Sequence, residues 1–158
     1  MAASRQTHTT NIHLVTETDL GNGITRPSAY EEIDGLATDQ PGIALVTYYA
    51  DCVPLYFVDP VHQAIGLAHS GWRGTVSRMG EHMVQFMQEQ FQSRPEDLVA
   101  AIGPSICVDC YEVSEEVAEQ FRGDFPENVL KKGKMPRKYQ LDLWEANRSI
   151  LLKAGILP

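Results

Sequence analysis

Short apolar runs separated by turn-forming residues most strongly limit how this chain can fold. Five segments are apolar and β-prone, and at seven to nine residues such runs are typical of strands. The segments are NIHLVTE, GIALVTYYA, VPLYFVD, QAIGLAHS and DLVAAIG. Turn sequences such as DQPG and DPVH separate most of them. The pattern therefore predicts about five strands.

Three other segments have the 3.6-residue period of amphipathic helices. The segment from Val76 to Phe91 places three methionines and a phenylalanine on one face, with charged residues opposite. SEEVAEQF begins at Ser114, a predicted N-cap, and DLWEANRSILLKAGI is predicted to stop at Gly155. Runs of strands interrupted by helices predict an α+β fold of layered mixed β-sheets with helices packed outside.

Length and composition predict a single domain that covers residues 1–158. The chain is 43% hydrophobic and 22% charged, which is ordinary for a globular protein. Its apolar runs are far shorter than the roughly 20 residues that span a bilayer, and its N-terminus lacks the order of a secretory signal. We therefore expect a cytoplasmic protein without membrane contacts. The Pro-, Gly- and Lys-rich segment from about Gly123 to Lys138 is predicted to be a long surface loop.

The charge and the cysteine content exclude further classes. A net charge of −8 disfavours nucleic acid as a partner, and the one basic cluster, Leu130 to Lys138, lies in the predicted loop. The three cysteines Cys52, Cys107 and Cys110 form no disulfide framework, which favours a reducing compartment. Cys107 and Cys110 have the Cys-x-x-Cys spacing of zinc ribbons and redox sites, but no second pair completes a ribbon. Their role stays open.

His69 and Cys52 are the first candidates for chemistry. Each ends a predicted strand, and side chains at two strand ends can share one pocket. Histidine and cysteine bind transition metals, although a single buried one is more often structural. Asp51 and Arg73 lie close to them in sequence and favour a site, because charged groups packed around strand ends cost desolvation unless they are used.

The GWRG segment has two interpretations. Gly71 and Gly74 would permit tight turns and the close approach of a ligand, while the guanidinium of Arg73 could bind a phosphate or a carboxylate. Alternatively, the segment is a Gly-rich turn in which Arg73 stacks on Trp72. The residues alone leave both interpretations open.

Three ordered segments carry a resemblance to a known family. ADCVPLYFVDP, AHSGWRGT and IGPSICVDCYEV occur with the order and spacing of the YfiH-type laccase-domain family, which this chain closely resembles. RQTHTTNI is similar to the family's QVHG segment and IDGLATDQPG to its DALVT..PG segment, so the resemblance covers nearly the whole chain. The family's TR.GGVS segment before QVH and its C.T......F.S.RR segment after the last helix have no counterpart here. The resemblance therefore implies a domain truncated at both ends.

The resemblance also implies a metal centre. The His of QVH, the Cys of ADC and the His of AHAGW bind one metal in the family and correspond to His8, Cys52 and His69. Thr7 and Ser70 differ from the family's Val and Ala but remove no ligand. Three protein ligands leave a fourth tetrahedral position for water, as in catalytic zinc sites, and a His₂Cys set also suits copper. Zinc or copper is the expected cofactor.

Members of the family have been described as purine nucleoside phosphorylases with adenosine deaminase activity and as polyphenol oxidases, or laccases. We expect the first function, with a purine nucleoside and phosphate as substrates. Arg73 and Arg5 would hold the anion, Gly71 and Gly74 would let substrate approach the backbone, and Asp51 would orient a ligand or act as acid and base. The residues expected to take part in catalysis are Cys52, His69, Arg73 and Asp51.

Two alternatives follow from the same residues. A copper-dependent polyphenol oxidase would oxidise phenols with dioxygen, but a multicopper centre needs more histidines than the remaining His13, His62 and His82 supply. We assign His13 and His62 to the surface and expect His13 to lie nearer the site. The second alternative is a truncated metal-binding module without turnover. Apolar sheet edges exposed by truncation would favour a homo-oligomer.

Overall fold

The computed structural model describes all 158 residues and contains ten strands and four α-helices. The strands are β1 (Ala2–Ala3), β2 (Ile12–Leu14), β3 (Gly35–Thr38), β4 (Leu45–Val46), β5 (Val53–Asp59), β6 (Ala64–Ser70), β7 (Val99–Ile102), β8 (Glu112–Ser114), β9 (Leu130–Lys132) and β10 (Lys138–Leu141). The helices are α1 (Trp72–Val76), α2 (Met79–Phe91), α3 (Glu115–Glu119) and α4 (Leu143–Lys153). This mixture of sheets and helices confirms the predicted α+β fold.

A five-stranded sheet with the order β2-β3-β6-β5-β7 forms the centre of the fold. Only β2 and β3 run parallel, and β5 and β6 form the longest antiparallel pair, with seven paired residues on each strand. Along β5, Leu55 and Phe57 are buried while Tyr56 and Val58 are exposed, so one face of this strand points to the core. Two smaller sheets, with the strand orders β1-β4 and β8-β10-β9, complete the mixed architecture.

Helix α2 packs its methionines against the central sheet. Met79, Met83 and Met87 are fully buried, as the 3.6-residue period predicts for one helix face. A Cβ atom on Gly66 of β6 would stand 2.9 Å from Sδ of Met83 and 3.3 Å from Sδ of Met87. The absence of a side chain on Gly66 therefore lets α2 lie close to the strand that carries His69.

Helix boundaries differ from the sequence prediction in two places. The helix predicted from Val76 to Phe91 begins at Met79 as α2, because Arg78 before it adopts a left-handed backbone with φ of 60°, and Val76 is instead the last residue of the separate helix α1. Ser114 does precede α3, but its side chain makes no capping hydrogen bond and the helix has only five residues. The predicted stop of α4 agrees with Gly155, which has φ of 96° just beyond the last helical turn.

Two strand predictions also need correction. GIALVTYYA contributes only the two-residue strand β4, whereas IDGLATDQPG, which was not predicted as a strand, supplies β3 of the central sheet. The predicted loop from Gly123 to Lys138 contains a 3-10 turn (Glu127–Val129) and strand β9, and β10 begins at its end. The lysine-rich strand β9 is an edge strand that pairs with β10 through its backbone without an apolar pattern, which is why composition misidentified this hairpin. No α-helix here combines the length and the apolar character that crossing a membrane would require.

Candidate metal centre

Antiparallel pairing brings Cys52 and His69 to the same end of the central sheet. Cys52 immediately precedes β5, and His69 is the next-to-last residue of β6, where it pairs with Pro54. Two residues that are 17 positions apart in sequence thus become neighbours through one strand pair. The N-terminal segment between β1 and β2 carries His8 to the same place.

His8, Cys52 and His69 form the one group of at least three potential metal ligands in the structure. Their ligand atoms all lie within 4.8 Å of one another, and the two imidazole rings meet edge to face with centroids 5.0 Å apart. His69 is 5% exposed, Cys52 is partly buried and His8 is exposed. Two imidazole nitrogens and one thiol match the ligands that zinc and copper prefer. The exposed side at His8 leaves room for a further ligand.

Asp34, which the sequence analysis did not single out, contacts both histidine-bearing segments. Its carboxylate is fully buried and lies 2.7 Å from Nδ1 of His69. It also accepts hydrogen bonds from the backbone N–H groups of Thr7, His8 and Thr9. Burial alone would raise the pKa of Asp34, but hydrogen bonds from His69, Thr7 and Thr9 outweigh it and bring the pKa to about 2. This carboxylate is therefore ionised at neutral pH.

The charge of His69 depends on its two polar neighbours. Burial alone would lower the pKa of His69. Hydrogen bonds and charges from Asp34 and Cys52 outweigh burial and raise the pKa to about 9. In the metal-free chain the imidazole therefore holds a second proton at neutral pH. A metal ion bound by His69 must displace that proton, as ligand deprotonation requires.

A small pocket opens beside the cluster. Its volume is about 50 Å³, whereas sites that hold drug-sized ligands measure roughly 300–1,000 Å³. The lining residues are His8, Asp51, Cys52, Trp72, Ile106, Tyr111 and Leu143. Only a small group, and not a whole organic molecule, fits inside this pocket.

Arg73 lies on the first turn of α1 and is exposed. Its guanidinium carbon lies 4.4 Å from the centroid of the Trp72 ring, so the structure contains the stacking that one interpretation of GWRG predicted. The charge of Arg73 also reaches the pocket. Burial and the nearby charge of Cys52 raise the pKa of Tyr111, while Arg73 acts in the opposite direction. Stacking and an electrostatic influence on the pocket therefore coexist.

The other predicted site residues occupy different places. Asp51 is exposed and lines the pocket, but the carboxylate that contacts a histidine of the cluster belongs to Asp34. Gly71 leaves space for the Cys52 thiol, whereas the missing Cβ of Gly74 faces the backbone carbonyl of His69 and permits close packing of α1 on β6. Arg5 is exposed, pairs through its backbone with Ile33 and does not line the pocket.

The remaining histidines are not part of the cluster. His13 lies on β2, where its ring contacts Asp19 at 3.2 Å and packs on Tyr30 at a centroid distance of 4.4 Å. His62 contacts Asp59 at 2.8 Å in the turn between β5 and β6. The third, His82, lies on α2 and is exposed. No second group of histidines is therefore available for a multinuclear copper centre within these residues.

Cys107 and Cys110 lie on a turn between two pocket residues, Ile106 and Tyr111. The backbone N–H of Cys110 donates to the carbonyl of Cys107 over 3.1 Å. Hydrogen bonds from the thiol and the backbone of Cys110 lower the pKa of the Cys107 thiol, and the same pairing raises the pKa of Cys110. Both thiols are free and neither belongs to the candidate metal centre.

Comparisons with known proteins place the whole chain in one family. Residues 1–158 match the family described as multi-copper polyphenol oxidoreductase laccase. The chain is 44% identical over 154 residues to "Purine nucleoside phosphorylase YlmD" of Geobacillus stearothermophilus. It is 37% identical over 155 residues to "Adenosine deaminase RL5" of an unknown prokaryotic organism. Each alignment covers 96% of this chain but only 56% and 59% of the respective relative.

Solved structures give the same result. The crystal structure of YlmD from Geobacillus stearothermophilus has a TM-score of 0.91 at 41% identity and covers 99% of this chain. The Bacillus licheniformis hypothetical protein YfiH has a TM-score of 0.92 at 38% identity, again over 99% of this chain. This chain corresponds to 59% and 60% of those two proteins. It thus spans somewhat more than half the length of its relatives.

Proposed function

This chain belongs to the multi-copper polyphenol oxidoreductase laccase family, and from that membership we propose that it is a metal-dependent enzyme of purine nucleosides. The proposed reactions are cleavage of a purine nucleoside by phosphate and deamination of adenosine. The names of two relatives support these reactions. The observation that carries the proposal is the cluster of His8, Cys52 and His69 at the mouth of a small pocket.

The ligand set fits a catalytic zinc ion. His69 and Cys52 would hold the metal from the buried side, and the exposed His8 would close the site from the solvent side. When bound, zinc would lower the pKa of a coordinated water to about 7 and polarise a substrate oxygen. Three protein ligands with one open position are typical of catalytic rather than structural zinc sites.

Residues around the pocket would bind and orient the substrates. Arg73 is held on Trp72 by stacking, which leaves its N–H groups free to bind phosphate. The raised pKa of Tyr111, caused first by burial, keeps its hydroxyl protonated at neutral pH as a hydrogen-bond donor. The exposed carboxylate of Asp51 would accept or return a proton at the edge of the pocket.

The size of the pocket limits how a nucleoside would bind. Because the cavity measures about 50 Å³, only the reacting group would enter it. The rest of the nucleoside would lie outside, against the partly exposed Trp72 ring. We infer that the substrates are small molecules. A separate inference concerns the location: the three free cysteines support a reducing, cytoplasmic compartment.

Product assays test the proposal directly. Elemental analysis of protein purified without added metal identifies the ion, and zinc-loaded protein is then incubated with inosine and phosphate or with adenosine. We expect hypoxanthine and ribose 1-phosphate from the first mixture and inosine and ammonia from the second. Arg73→Gln should raise the KM for phosphate. Arg148→Gln is the control, because Arg148 is also an exposed arginine but lies on α4, and it should leave that KM unchanged. Metal-loaded protein that forms neither product would overturn the proposed function.

A copper-dependent polyphenol oxidase is the second candidate, favoured by the His₂Cys ligand set. Copper-loaded protein would then have an intense thiolate-to-copper absorption band in the visible range and would oxidise phenols with dioxygen. Against this function, the other histidines are dispersed over the chain rather than gathered in a second cluster. Tight metal binding without any product in either assay would instead identify a metal-binding module.

A further inference from the structure

We propose that Asp34 is the positioning residue of the metal centre and that its single carboxylate fixes both histidine ligands. The inference rests on the proposed metal site but concerns contacts that exist without a metal. Asp34 lies immediately before β3, an interior strand of the main sheet, and its side chain is fully buried. It is also the only carboxylate in hydrogen-bond contact with a residue of the cluster.

Asp34 fixes the ring of His69 through its side chain and its backbone. Its Nδ1 lies 2.7 Å from Oδ1 of Asp34, and its backbone N–H donates to the Asp34 carbonyl over 2.8 Å. Because a carboxylate oxygen only accepts hydrogen bonds, Nδ1 must carry the proton. Nε2 is then the nitrogen left to bind a metal. A carboxylate behind a ligating histidine fixes the ring orientation and raises the basicity of the ligand in many metal sites.

Asp34 also fixes the backbone turn that carries His8. The backbone N–H groups of Thr7, His8 and Thr9 all donate to the Asp34 carboxylate, over 2.9, 3.0 and 3.0 Å, and the Thr9 hydroxyl shares its proton between Oδ2 of Asp34 at 3.0 Å and the Glu32 carbonyl at 2.9 Å. His8 has φ of 68°, in the left-handed region, which carries a steric cost for a residue with a side chain. Bonds to an ionised group are stronger than neutral ones and offset that cost. Asp34 therefore holds the strained turn that directs His8 toward Cys52 and His69.

Only an acid of this length satisfies all of these partners. Every group that faces the two carboxylate oxygens is a donor, and an asparagine would turn its own NH₂ group toward one set of them. In either amide orientation, Asp34→Asn leaves donors facing donors. If the NH₂ group takes the Oδ1 position, His69 and His8 lose their shared acceptor; if it takes the Oδ2 position, the turn around His8 loosens.

Asp59 provides a matched control. It is also fully buried, accepts hydrogen bonds from the backbone N–H groups of Val61 and His62, and contacts the His62 ring at 2.8 Å. It lies at the far end of β5 from Cys52 and touches no residue of the cluster. Asp59→Asn therefore repeats the chemical change of Asp34→Asn, a buried carboxylate that captures a histidine and two or more backbone N–H groups, away from the metal.

The experiment compares both variants with the wild-type chain. Zinc affinity is measured by competition with a chromogenic chelator, and NMR measures hydrogen exchange of the His69 Nδ1–H and of the His8 amide in metal-free protein. We expect Asp34→Asn to weaken zinc binding by about 10–100-fold, the usual effect of removing such a partner, and to deprotect both protons. Asp59→Asn should change neither zinc affinity nor these two protons, whatever it does to stability.

One further variant keeps the proposal testable and its outcomes distinct. If Asp34→Asn does not fold, Thr9→Val removes one hydrogen bond to the carboxylate, and we expect a severalfold loss of zinc affinity with the fold retained. Zinc affinity within twofold of wild type, or protected His69 and His8 protons in folded Asp34→Asn, would overturn the proposal. A wild-type chain that binds no zinc would overturn the proposed metal centre instead, while the hydrogen exchange would still test the role of Asp34.

Discussion

The Sγ atom of Cys52 lies 2.8 Å from the point where a Cβ atom would stand on Gly71. The same point is 3.5 Å from Cδ2 of His8, so two candidate ligands pack against the missing side chain. Gly71 has φ of −66°, which any residue can adopt. Glycine is therefore needed here for space and not for backbone freedom. Of the two glycines in GWRG that the sequence indicated, this one packs against the candidate metal centre.

Gly71→Ala should weaken metal binding. The new methyl group must displace the Cys52 thiol, and overpacking of this kind costs about 1–3 kcal/mol. We expect zinc affinity to fall by roughly 5–150-fold, the same energy expressed as an equilibrium ratio. Chelator competition measures the loss, and urea unfolding in excess chelator shows how much of the strain exists without metal. Unchanged zinc affinity would mean that the thiol is not a ligand in its present position.

Cys52→Ser should abolish stoichiometric zinc binding. A serine hydroxyl does not ionise near neutral pH, whereas a cysteine thiolate is a strong zinc ligand. Cys107→Ser is the matched control, because Cys107 is also partly buried and free but lies outside the cluster. Metal content after dialysis and the zinc-dependent shift in Tm measure the effect. Tight zinc in Cys52→Ser, or its loss in Cys107→Ser, would contradict the ligand assignment.

The strand ends of the site were predictable, but the residue behind them was not. Cys52 and His69 were both predicted to end strands from the apolar runs before them: His69 is the next-to-last residue of β6, but Cys52 ends no strand and instead immediately precedes β5. His8 has no such pattern, and only the resemblance to a family indicated it. Asp34 contacts His8 and His69 across 26 and 35 positions of sequence, and no local pattern encodes contacts of that length. Asp51, adjacent to Cys52 in sequence, makes no hydrogen bond to a histidine of the cluster, and its role as acid and base stays a prediction.

The same contrast applies to the fold. Strand β5 coincides with the apolar run VPLYFVD, and the buried face of α2 follows its helical period. Strand β3 reads Gly-Leu-Ala-Thr, with weak β propensity, and becomes a strand because it is buried between β2 and β6. The hairpin of β9 and β10 is rich in lysine and exists through pairing with β8. Tertiary context decided these elements, and a single sequence does not contain that information in local form.

A buried polar network behind His69 should contribute strongly to stability. Asn147 of α4 is fully buried and bonds Ser70 over 2.9 Å and Thr75 over 3.0 Å, which joins α4 to the end of β6 and to α1. Asn147→Ala removes both bonds, and although Ser70 and Thr75 still bond each other over 3.1 Å, the loss of a partner at these buried groups costs about 1–3 kcal/mol in total. We therefore expect the free energy of unfolding in urea to fall by a similar amount.

Ser149→Ala is the control for this network. Ser149 lies on the same helix and is also buried, but its hydroxyl donates only to the backbone carbonyl of Ala146 within the helix. Its removal should cost less than the loss of Asn147. Equal effects of the two variants would show that the connection between α4, α1 and β6 adds nothing beyond helix burial.

Gln92→Gly should stabilise the protein. Gln92 is the exposed C-cap of α2 and has φ of 59°, a conformation in which glycine carries no steric cost. Relief of the left-handed conformation is worth about 1 kcal/mol. Gln90→Gly, at an exposed position inside the helix, should instead destabilise by about 0.5–1 kcal/mol. Urea unfolding of both variants measures the opposite signs, and a loss of stability in Gln92→Gly would contradict the assigned cap.

Alkylation should distinguish the two thiols of the Cys-x-x-Cys turn by pH. Hydrogen bonds from Cys110 lower the pKa of Cys107, so Cys107 holds more thiolate than Cys110 at a given pH and should react first as the pH rises. Iodoacetamide labelling from pH 6 to 10, read by peptide mass spectrometry, measures the midpoint of each cysteine. In Cys110→Ala the midpoint of Cys107 should move to higher pH, because the thiol that stabilises its thiolate is gone. An unmoved midpoint would show that the turn backbone alone, and not the partner thiol, sets the reactivity of Cys107.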